Sequence, residues 1–492
     1  MKEQQSSYRQ IMKATSIFGG VQFFQILIQI IRSKFVAIYL GPAGMGIYSL
    51  FMSASGLIAS ITNFGLGTSA VKNIAEANII GNEQKISTVV TIIRRLVWFT
   101  GLIGAFITAA ISHWLSILSF GNSDYTWSFV WIATTLLINQ LSSGQMVIIQ
   151  GMRKLHYLAK ANLYGAVVGL IITIPIYYKF KTDGIVPVII ITSIVTLFFS
   201  WYFSQKIKIK SVYVSKENNL AISKSMLRMG FLISLSGLLN VGTSYLLRIF
   251  ISQLGTVADV GLYNAGFAII STYVGLVFNA MGADYYPRLA AIANNRYLTN
   301  KTINQQADIA LLILAPILLI FIVFINWAII LLYSDQFIPI NTMIHWAALG
   351  IFFKAVTWAI GFLFLAKGAS KVFFWSELTS NIYVLILNIG GYYFFGLVGL
   401  GISFFISYII VFIQVFFIAK IKYQFVFQKS FIVLFSILFM FALLCFIIMQ
   451  FVIQPYNYIS SSVIIIISLI FSYNELDKRI GIKSFIKKFI VK

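Results

Sequence analysis

Apolar runs of about twenty residues recur along this chain from one end to the other, and no other feature limits its fold so tightly. Each run is long enough to cross ~30 Å of hydrocarbon as a helix. Charge agrees with that reading: the 492 residues are 59% hydrophobic and only 10% charged, too little charge to cover a soluble protein of this length. The fold class is therefore all-α, a polytopic membrane protein of about fourteen transmembrane helices. The expected spans are 14–40, 44–71, 88–113, 127–150, 158–179, 184–204, 227–254, 260–287, 303–333, 343–366, 372–395, 396–419, 430–451 and 458–474.

Net charge is +23, which in a soluble chain would point to nucleic acid. Its distribution points elsewhere. With the N-terminus inside, 29 of the 36 Lys and Arg fall on the inner side and only Lys179 and Lys181 on the outer side. That asymmetry predicts both termini in the cytoplasm, a multi-pass membrane protein and no nucleic-acid partner. The first apolar stretch is too long for a signal-peptide core and lacks a small-residue cleavage site, so it reads as a retained span. Cys445 is the sole cysteine, and His113, His156 and His345 are scattered without metal-ligand spacing, so each reads as an interfacial residue.

The polar stretch between the sixth and seventh spans divides the chain. The expected domains are an N-lobe over 1–204, a cytoplasmic linker over 205–226 and a C-lobe over 227–420, six helices to a lobe around a central cavity. Two additional helices follow over 421–474, and then a basic amphipathic cytoplasmic tail over 475–492. The lobes look alike where they begin. "RSKFVAIYLGPAGMGIYSLFMSASGLI" parallels "RIFISQLGTVADVGLYNAGFAII", with Arg32 14 residues before Gly46 and Arg248 13 before Gly261. Copies of six spans have the same orientation and are parallel repeats. In the tail, Ile482, Phe485, Ile486, Phe489 and Ile490 share one helical face opposite Lys483, Lys487 and Lys488, the pattern of an interfacial helix on an anionic leaflet.

Polar side chains inside the spans are the candidate site. Gln22, Gln25, Gln29 and Arg32 recur at steps of 3, 4 and 3, one face of a helix. Ser49, Ser53, Gly56, Ser60 and Asn63 form a second stripe, for which close helix packing is the simpler reading. Ser236, Asn240, Ser244, Arg248 and Ser252 advance by fours in the seventh span. Gln22, Gln25, Gln29, Asn63, Asn240 and Ser244 are thus candidates for lining a cavity, and Arg32, Lys34, Arg248 and Lys354 for binding substrate. Lys34 lies roughly 160° round the helix from the glutamine stripe at 100° per residue, so periodicity favours Arg32 of that pair. A cation at mid-bilayer costs at least ~2.5–3.5 kcal/mol on insertion scales. The acids in or near spans, Asp284, Asp308 and Glu377, sit toward the cytoplasmic ends. Deep cations without deep carboxylates suggest a ligand that brings its own negative charge. No Walker A sequence occurs, and the short outer loops leave little room for catalytic residues, so an enzyme is not expected.

Several segments, in order, resemble one family. "YLGPAGMGIYSLF", "FGNSDY", "IIQGMRK", "YYPRLA", "LLYSDQFIPINTMIHWAALGIFFKAV" and "LAKGASKVFFWSEL" are similar to stretches of the Wzx-type O-antigen and enterobacterial common antigen translocases, over roughly residues 10–420. Those proteins belong to the multidrug/oligosaccharidyl-lipid/polysaccharide exporter superfamily. The resemblance implies a two-lobed flippase that moves polyprenyl-pyrophosphate-linked oligosaccharide from the cytoplasmic to the periplasmic leaflet by alternating access. It places Lys34, Arg248, Lys354 and Lys367 on basic positions of the family, and not Arg32, so periodicity and resemblance favour different members of the first-span pair. It implies no cofactor, though a coupling proton or sodium ion is compatible with it. The implied partners are the lipid-linked oligosaccharide, membrane lipids and a polysaccharide polymerase, with the chain itself a monomer. The runner-up readings are a cation-coupled exporter of amphiphiles, which would need deep carboxylates, and a polysaccharide-processing membrane enzyme, which would need a large outer loop.

Overall fold

The computed structural model describes residues 2–209, 212 and 216–480; the side chains of Gln22, Ser236 and Asp284, and the tail beyond 480, lie outside the described residues. Among the described residues all regular structure is helical: α1 (Lys2–Thr62), α2 (Leu66–Ile80), α3 (Glu83–Ala110), α4 (Ser112–Phe120), α5 (Thr126–Gly151), α6 (Leu155–Phe180), α7 (Ile185–Gln205), α8 (Lys216–Leu254), α9 (Val257–Ala291), α10 (Arg296–Leu332), α11 (Asn341–Ala366), α12 (Ser370–Tyr423), α13 (Lys429–Phe451) and α14 (Tyr456–Ile480). Nine helical stretches among them are long and apolar enough to cross a membrane. Three of the nine, Phe24–Thr62, Leu155–Gln205 and Ser370–Tyr423, have 39, 51 and 54 residues. At 1.5 Å per residue those lengths far exceed one ~30 Å crossing.

Each of the three breaks where the sequence allows it. Gly41 has φ 62° and ψ −171°, a conformation that carries little cost only for glycine. Pro42 follows, lacking an N–H that the start of a helix would leave unbonded anyway. Gly396, at φ 57° and ψ −139°, folds α12 back in the same way. Between α6 and α7 a single 3-10 turn, Lys181–Gly184, makes the reversal. Each stretch therefore holds two crossings. The second expected span, 44–71, is corrected: α1 ends at Thr62, because Phe64 (φ 48°) and Gly65 (φ 61°) both turn left-handed before α2 starts.

Packing divides the chain into two compact units, Met1–Gly261 with Leu332–Ser334, and Leu262–Leu331 with Asp335–Lys492. In the first unit α5 lies between α3 and α7, and α1 packs on α6. Its core includes Ile74, Val90, Ile93 and Ile148, each at most 1% exposed. Helices in lipid gain little from leaving an apolar solvent, so close van der Waals packing and hydrogen bonds between helices hold them together. Ser119 and Tyr245 share a 2.7 Å hydrogen bond between α4 and α8. The Gln253 amide donates to the carbonyls of Ile117 and Leu118, both at 2.9 Å. Through these and its contacts with α1, α2 and α3, α8 packs in the first unit. The first turn of α9 crosses α1 backbone to backbone. A Cβ built on Gly46 would lie 1.8 Å from the Val257 carbonyl oxygen, and one on Gly261 1.8 Å from that of Pro42. These are the two glycines that the sequence repeat aligns.

The second unit is built around α11, which packs on α12 and α13. Phe353 of α11 meets Phe405 and Phe412 of α12 and Phe435 and Phe439 of α13, all edge-on with centroids 5.4–6.0 Å apart. Ring quadrupoles favour that arrangement, so forty-five phenylalanines supply orientation as well as bulk. His345, expected at an interface, is instead 5% exposed within this bundle, its ring 6.4 Å from that of Phe446. It lies one turn into α11, where that helix is enclosed by its neighbours. His113 and His156 are exposed, as an interfacial position requires.

The last helix is tied to α10 by charge. Arg479 Nε lies 3.2 Å from Asp308 Oδ2, and its NH1 bonds Glu475 on its own helix. The Asp308 side chain is only 10% exposed, so its carboxylate depends on that partner. Removing one member of a buried pair leaves a charge uncompensated. With Arg479 partly in solvent, Asp308→Ala is expected to cost about 1–3 kcal/mol. Arg479→Gln combined with Asp308→Asn is expected to cost less than either alone. Thermal melting of the detergent-solubilised protein checks both; equal melting of the wild type and all four variants would mean the pair does not hold α14.

Candidate functional site

Three of the four candidate cations lie in the first unit. On α1, Arg32 is half-buried and its side chain lies beside Tyr177 of α6, a tyrosine only 1% exposed. Two residues on, and round the helix from it, the Lys34 ammonium donates to the carbonyl oxygen of Tyr333 at 2.6 Å. Tyr333 lies in the short stretch after α10 that packs with the first unit. Arg248 on α8 is half-buried too; its Nε donates to Ser49 Oγ at 3.1 Å and its NH1 to the Ser244 carbonyl at 3.1 Å. The second bond runs back along α8 to the residue one turn earlier. It fixes the guanidinium along the helix while the Ser49 hydroxyl draws it across to α1.

The serine stripe is partly a packing feature. Ser53 and Ser60 return their hydroxyl protons to the carbonyls four residues earlier, at 2.6 and 2.7 Å. Ser49 differs, because Arg248 uses it as an acceptor. Asn63, at the end of the stripe, accepts from the Gln140 amide at 3.1 Å, and the same amide reaches Thr100 Oγ1 at 2.9 Å. Asn63 thus joins a polar knot of α1, α3 and α5. Gln25 is half-buried, Gln29 and Asn240 are exposed, Ser244 is half-buried, and Gln22 lies outside the described residues. The structure brings Arg248, Ser49 and Ser244 together, places Arg32 and Lys34 on different partners, and sets Asn63 apart.

Lys354 belongs to the second unit. Its ammonium sits 5.3 Å from the ring centre of Tyr408 and 5.9 Å from that of Phe404, both on α12. A cation over aromatic faces is stabilised by the ring quadrupole while its charge stays available. Periodicity did not single out Tyr177, Gln140, Tyr408 or Phe404. Gln140 carried the clearest signal, an amide beside Asn139 in the middle of an apolar span.

Three cavities among the described residues are lined by other side chains. One of 460 Å³ in the first unit is lined by Phe51, Tyr125, Trp127, Trp131, Thr182 and Asp183. Burial first, then the nearby carboxylates of Asp124 and Asp183, push the Tyr125 phenol up, so it is protonated at neutral pH. The other two, in the second unit, are described below.

The first-span pair separates by partner. Arg32→Ala is expected to loosen α1 from α6 and lower membrane abundance by about half or more, with Tyr177→Phe giving a milder form of the same defect. Lys34→Ala is expected to leave abundance intact and to reduce transport about tenfold. Immunoblotting alongside a transport assay reads both. Normal abundance of Arg32→Ala with lost transport would reverse the assignment.

Helices of this length and number, with cations and amides set within them, define a multi-pass helical membrane protein. A family model described as polysaccharide biosynthesis protein matches residues 11–293, more than half of the chain, and the chain belongs to that family. Among curated proteins it is 24% identical over 391 residues to a putative O-antigen transporter of Shigella flexneri, covering 77% of this chain and 90% of that one. It is 20% identical over 353 residues to the lipid III flippase of Escherichia coli (strain K12), covering 70% and 83%. Among solved structures, a multidrug resistance MATE family transporter of the MOP superfamily in an inward-facing conformation superposes with a TM-score of 0.65 at 16% identity, over 81% of this chain and 94% of that one. The lipid II flippase MurJ in an inward closed conformation gives 0.63 at 14% identity, over 95% and 99%. The fold is common to both. Because the second match leaves only about 25 of 492 residues uncovered, it takes in at least part of the pair α13 and α14.

Proposed function

We propose that this chain is a flippase for polyprenyl-pyrophosphate-linked oligosaccharide, an O-antigen or related polysaccharide repeat unit, carrying it from the cytoplasmic to the periplasmic leaflet of the bacterial inner membrane. The observation that carries the reading is Lys354, a cation on a membrane helix that rests on aromatic faces, in a family of polysaccharide biosynthesis proteins. Arg32, Lys34 and Arg248 in the first unit are further cations on membrane helices, the charge that a pyrophosphate requires. Amides and hydroxyls on the same helices hydrate sugars, and the prenyl chain stays in lipid. The relatives named for O-antigen and lipid III support this substrate class.

In this reading the two lobes alternate access to one site, the protein acts as a monomer without a cofactor or catalytic residues, and it hands its cargo to a polysaccharide polymerase. An anionic headgroup moving outward from a negative interior gains ~2.3 kcal/mol per charge per 100 mV. Membrane potential is then sufficient as a driving force, and a proton or sodium gradient adds to it only if a carboxylate couples the two. A proteoliposome assay with fluorescent lipid-linked oligosaccharide tests the function, and collapse of the potential with valinomycin tests the drive. Vesicles that flip the lipid no faster than protein-free ones would overturn the proposal. For orientation, a cysteine at exposed Ser123 is expected to be labelled from outside intact cells and one at exposed Gln84 is not. Cys445 is buried and adds little background.

A further inference from the structure

The two cavities of the second unit adjoin one another where α10 begins, α11 ends and α12 both begins and ends. The smaller, 210 Å³, is lined by Arg296, Lys367 and Lys422 together with Asn300 and Gln424. The larger, 440 Å³, is lined by Lys371 and again Lys422, by Ser376, Thr379 and Gln414, and by the apolar surface of Trp375. Four basic residues thus surround two hollows that share one lysine, and neither lining includes an Asp or Glu.

The rim is held in place by polar bonds that are independent of any ligand. α12 ends at Gln424, whose backbone is left-handed at φ 54°. Its carbonyl accepts from Arg296 at 3.4 Å and from Asn300 at 3.3 Å. Asn304, 1% exposed, donates to the Val426 carbonyl at 3.1 Å and accepts from the Gln428 N–H at 3.0 Å. The link between α12 and α13 is thereby fastened to α10. In the larger hollow the Gln414 amide is fixed by Ser376, at 2.9 Å to its hydroxyl and 3.1 Å to its carbonyl. Trp375, 62% exposed, stands beside the cations as an amphipathic ring does at a headgroup level.

We propose that these helix ends bind an anionic phospholipid whose headgroup carries two phosphates, one phosphate in each hollow and Lys422 between them. Basic pockets between membrane helices recognise such headgroups by charge and hydrogen bonding together. The doubled hollow sets the number of phosphates, and the exposed indole gives an acyl chain its first apolar contact. Under the orientation proposed above, the lipid belongs to the cytoplasmic leaflet. The site is separate from the deep cations that the flippase reading uses.

The test uses the full chain purified in neutral detergent. Native mass spectrometry titrates diphosphatidylglycerol, with phosphatidylcholine, inorganic pyrophosphate and polyprenyl pyrophosphate as separate arms. Diphosphatidylglycerol is expected to bind as one retained copy and phosphatidylcholine is not. Lys371→Gln and Lys422→Gln, both at exposed positions, are each expected to weaken binding about fivefold, and the pair about 25-fold. Lys85→Gln with Lys208→Gln removes the same charge from exposed sites elsewhere and is expected to change nothing. Unchanged binding in the first pair, or an equal loss in the second, would overturn the site. Polyprenyl pyrophosphate or inorganic pyrophosphate displacing the phospholipid at equal concentration would overturn the assignment to a bilayer lipid. None of these readings depends on transport, so the flippase proposal can fail while this one stands.

Discussion

Arg248→Ala and Lys354→Ala are each expected to reduce translocation of lipid-linked oligosaccharide by roughly 100-fold or more, with protein levels maintained. A hydrogen bond to a charged group contributes ~1.5–3 kcal/mol, and a pyrophosphate engages more than one. Arg248 is already positioned by Ser49 at 3.1 Å and by the Ser244 carbonyl at 3.1 Å, so little ordering is left for the substrate to bring about. Arg248→Lys keeps the charge and loses the planar fork, and part of the activity is expected to survive. Ser49→Ala removes only the positioning hydroxyl and is expected to lower transport a few-fold. For Lys354 the aromatic faces of Tyr408 and Phe404 are the support, and Tyr408→Leu is expected to weaken transport without abolishing it. Complementation of a flippase-deficient strain, with immunoblotting of membranes, separates these outcomes. Should both alanine variants complement at normal abundance, the cations are packing features and the anion-binding reading is wrong.

The second large effect is expected at the crossing of α1 and α9. Gly261→Val and Gly46→Val each place side-chain carbon where a backbone carbonyl now lies, 1.8 Å from the built Cβ in both cases. Backbone cannot rotate aside as a flexible side chain can. The cost is therefore expected at or above the upper end of the ~1–3 kcal/mol typical of overpacking. The helices would have to part, and melting temperature and membrane abundance should fall together. Gly56→Ala serves as the contrast, since nothing lies within 4 Å of its built Cβ. Wild-type melting of Gly261→Val would show that the two backbones do not approach so closely.

That crossing also shows what a lone sequence can reveal. The repeat paired Gly46 with Gly261 on spacing alone, 14 and 13 residues after a basic residue, and in space each glycine accommodates the other's helix. Long apolar runs gave the helices, because hydrocarbon leaves the backbone no other partner than itself. The break after Thr62 was less visible, since Phe64 carries no mark of a left-handed turn and only Gly65 beside it does. Periodicity identified the polar faces and could not say what meets them. Arg32 lies on the glutamine stripe, yet its neighbour is Tyr177, which no local pattern connects to α1. Lys34 was off the stripe and finds a carbonyl at Tyr333. His345 was misplaced for a similar reason, because a histidine near a helix end looks interfacial until neighbouring helices enclose it. The amphipathic pattern beyond residue 480 lies outside the described residues.

The left-handed glycine at Gly41 has a mechanical consequence. It joins the two arms of α1 through one residue, so their relative angle is governed by a single pair of torsions, with no loop to absorb slack. Pro42 locks the next φ and narrows that freedom further. The arms therefore act as a bent lever: a tilt of the arm carrying Arg32 and Lys34 must swing the arm carrying Gly46 and Ser49 about the same joint. Lengthening the joint by even a few flexible residues would uncouple the two, leaving both arms folded and the torque between them lost.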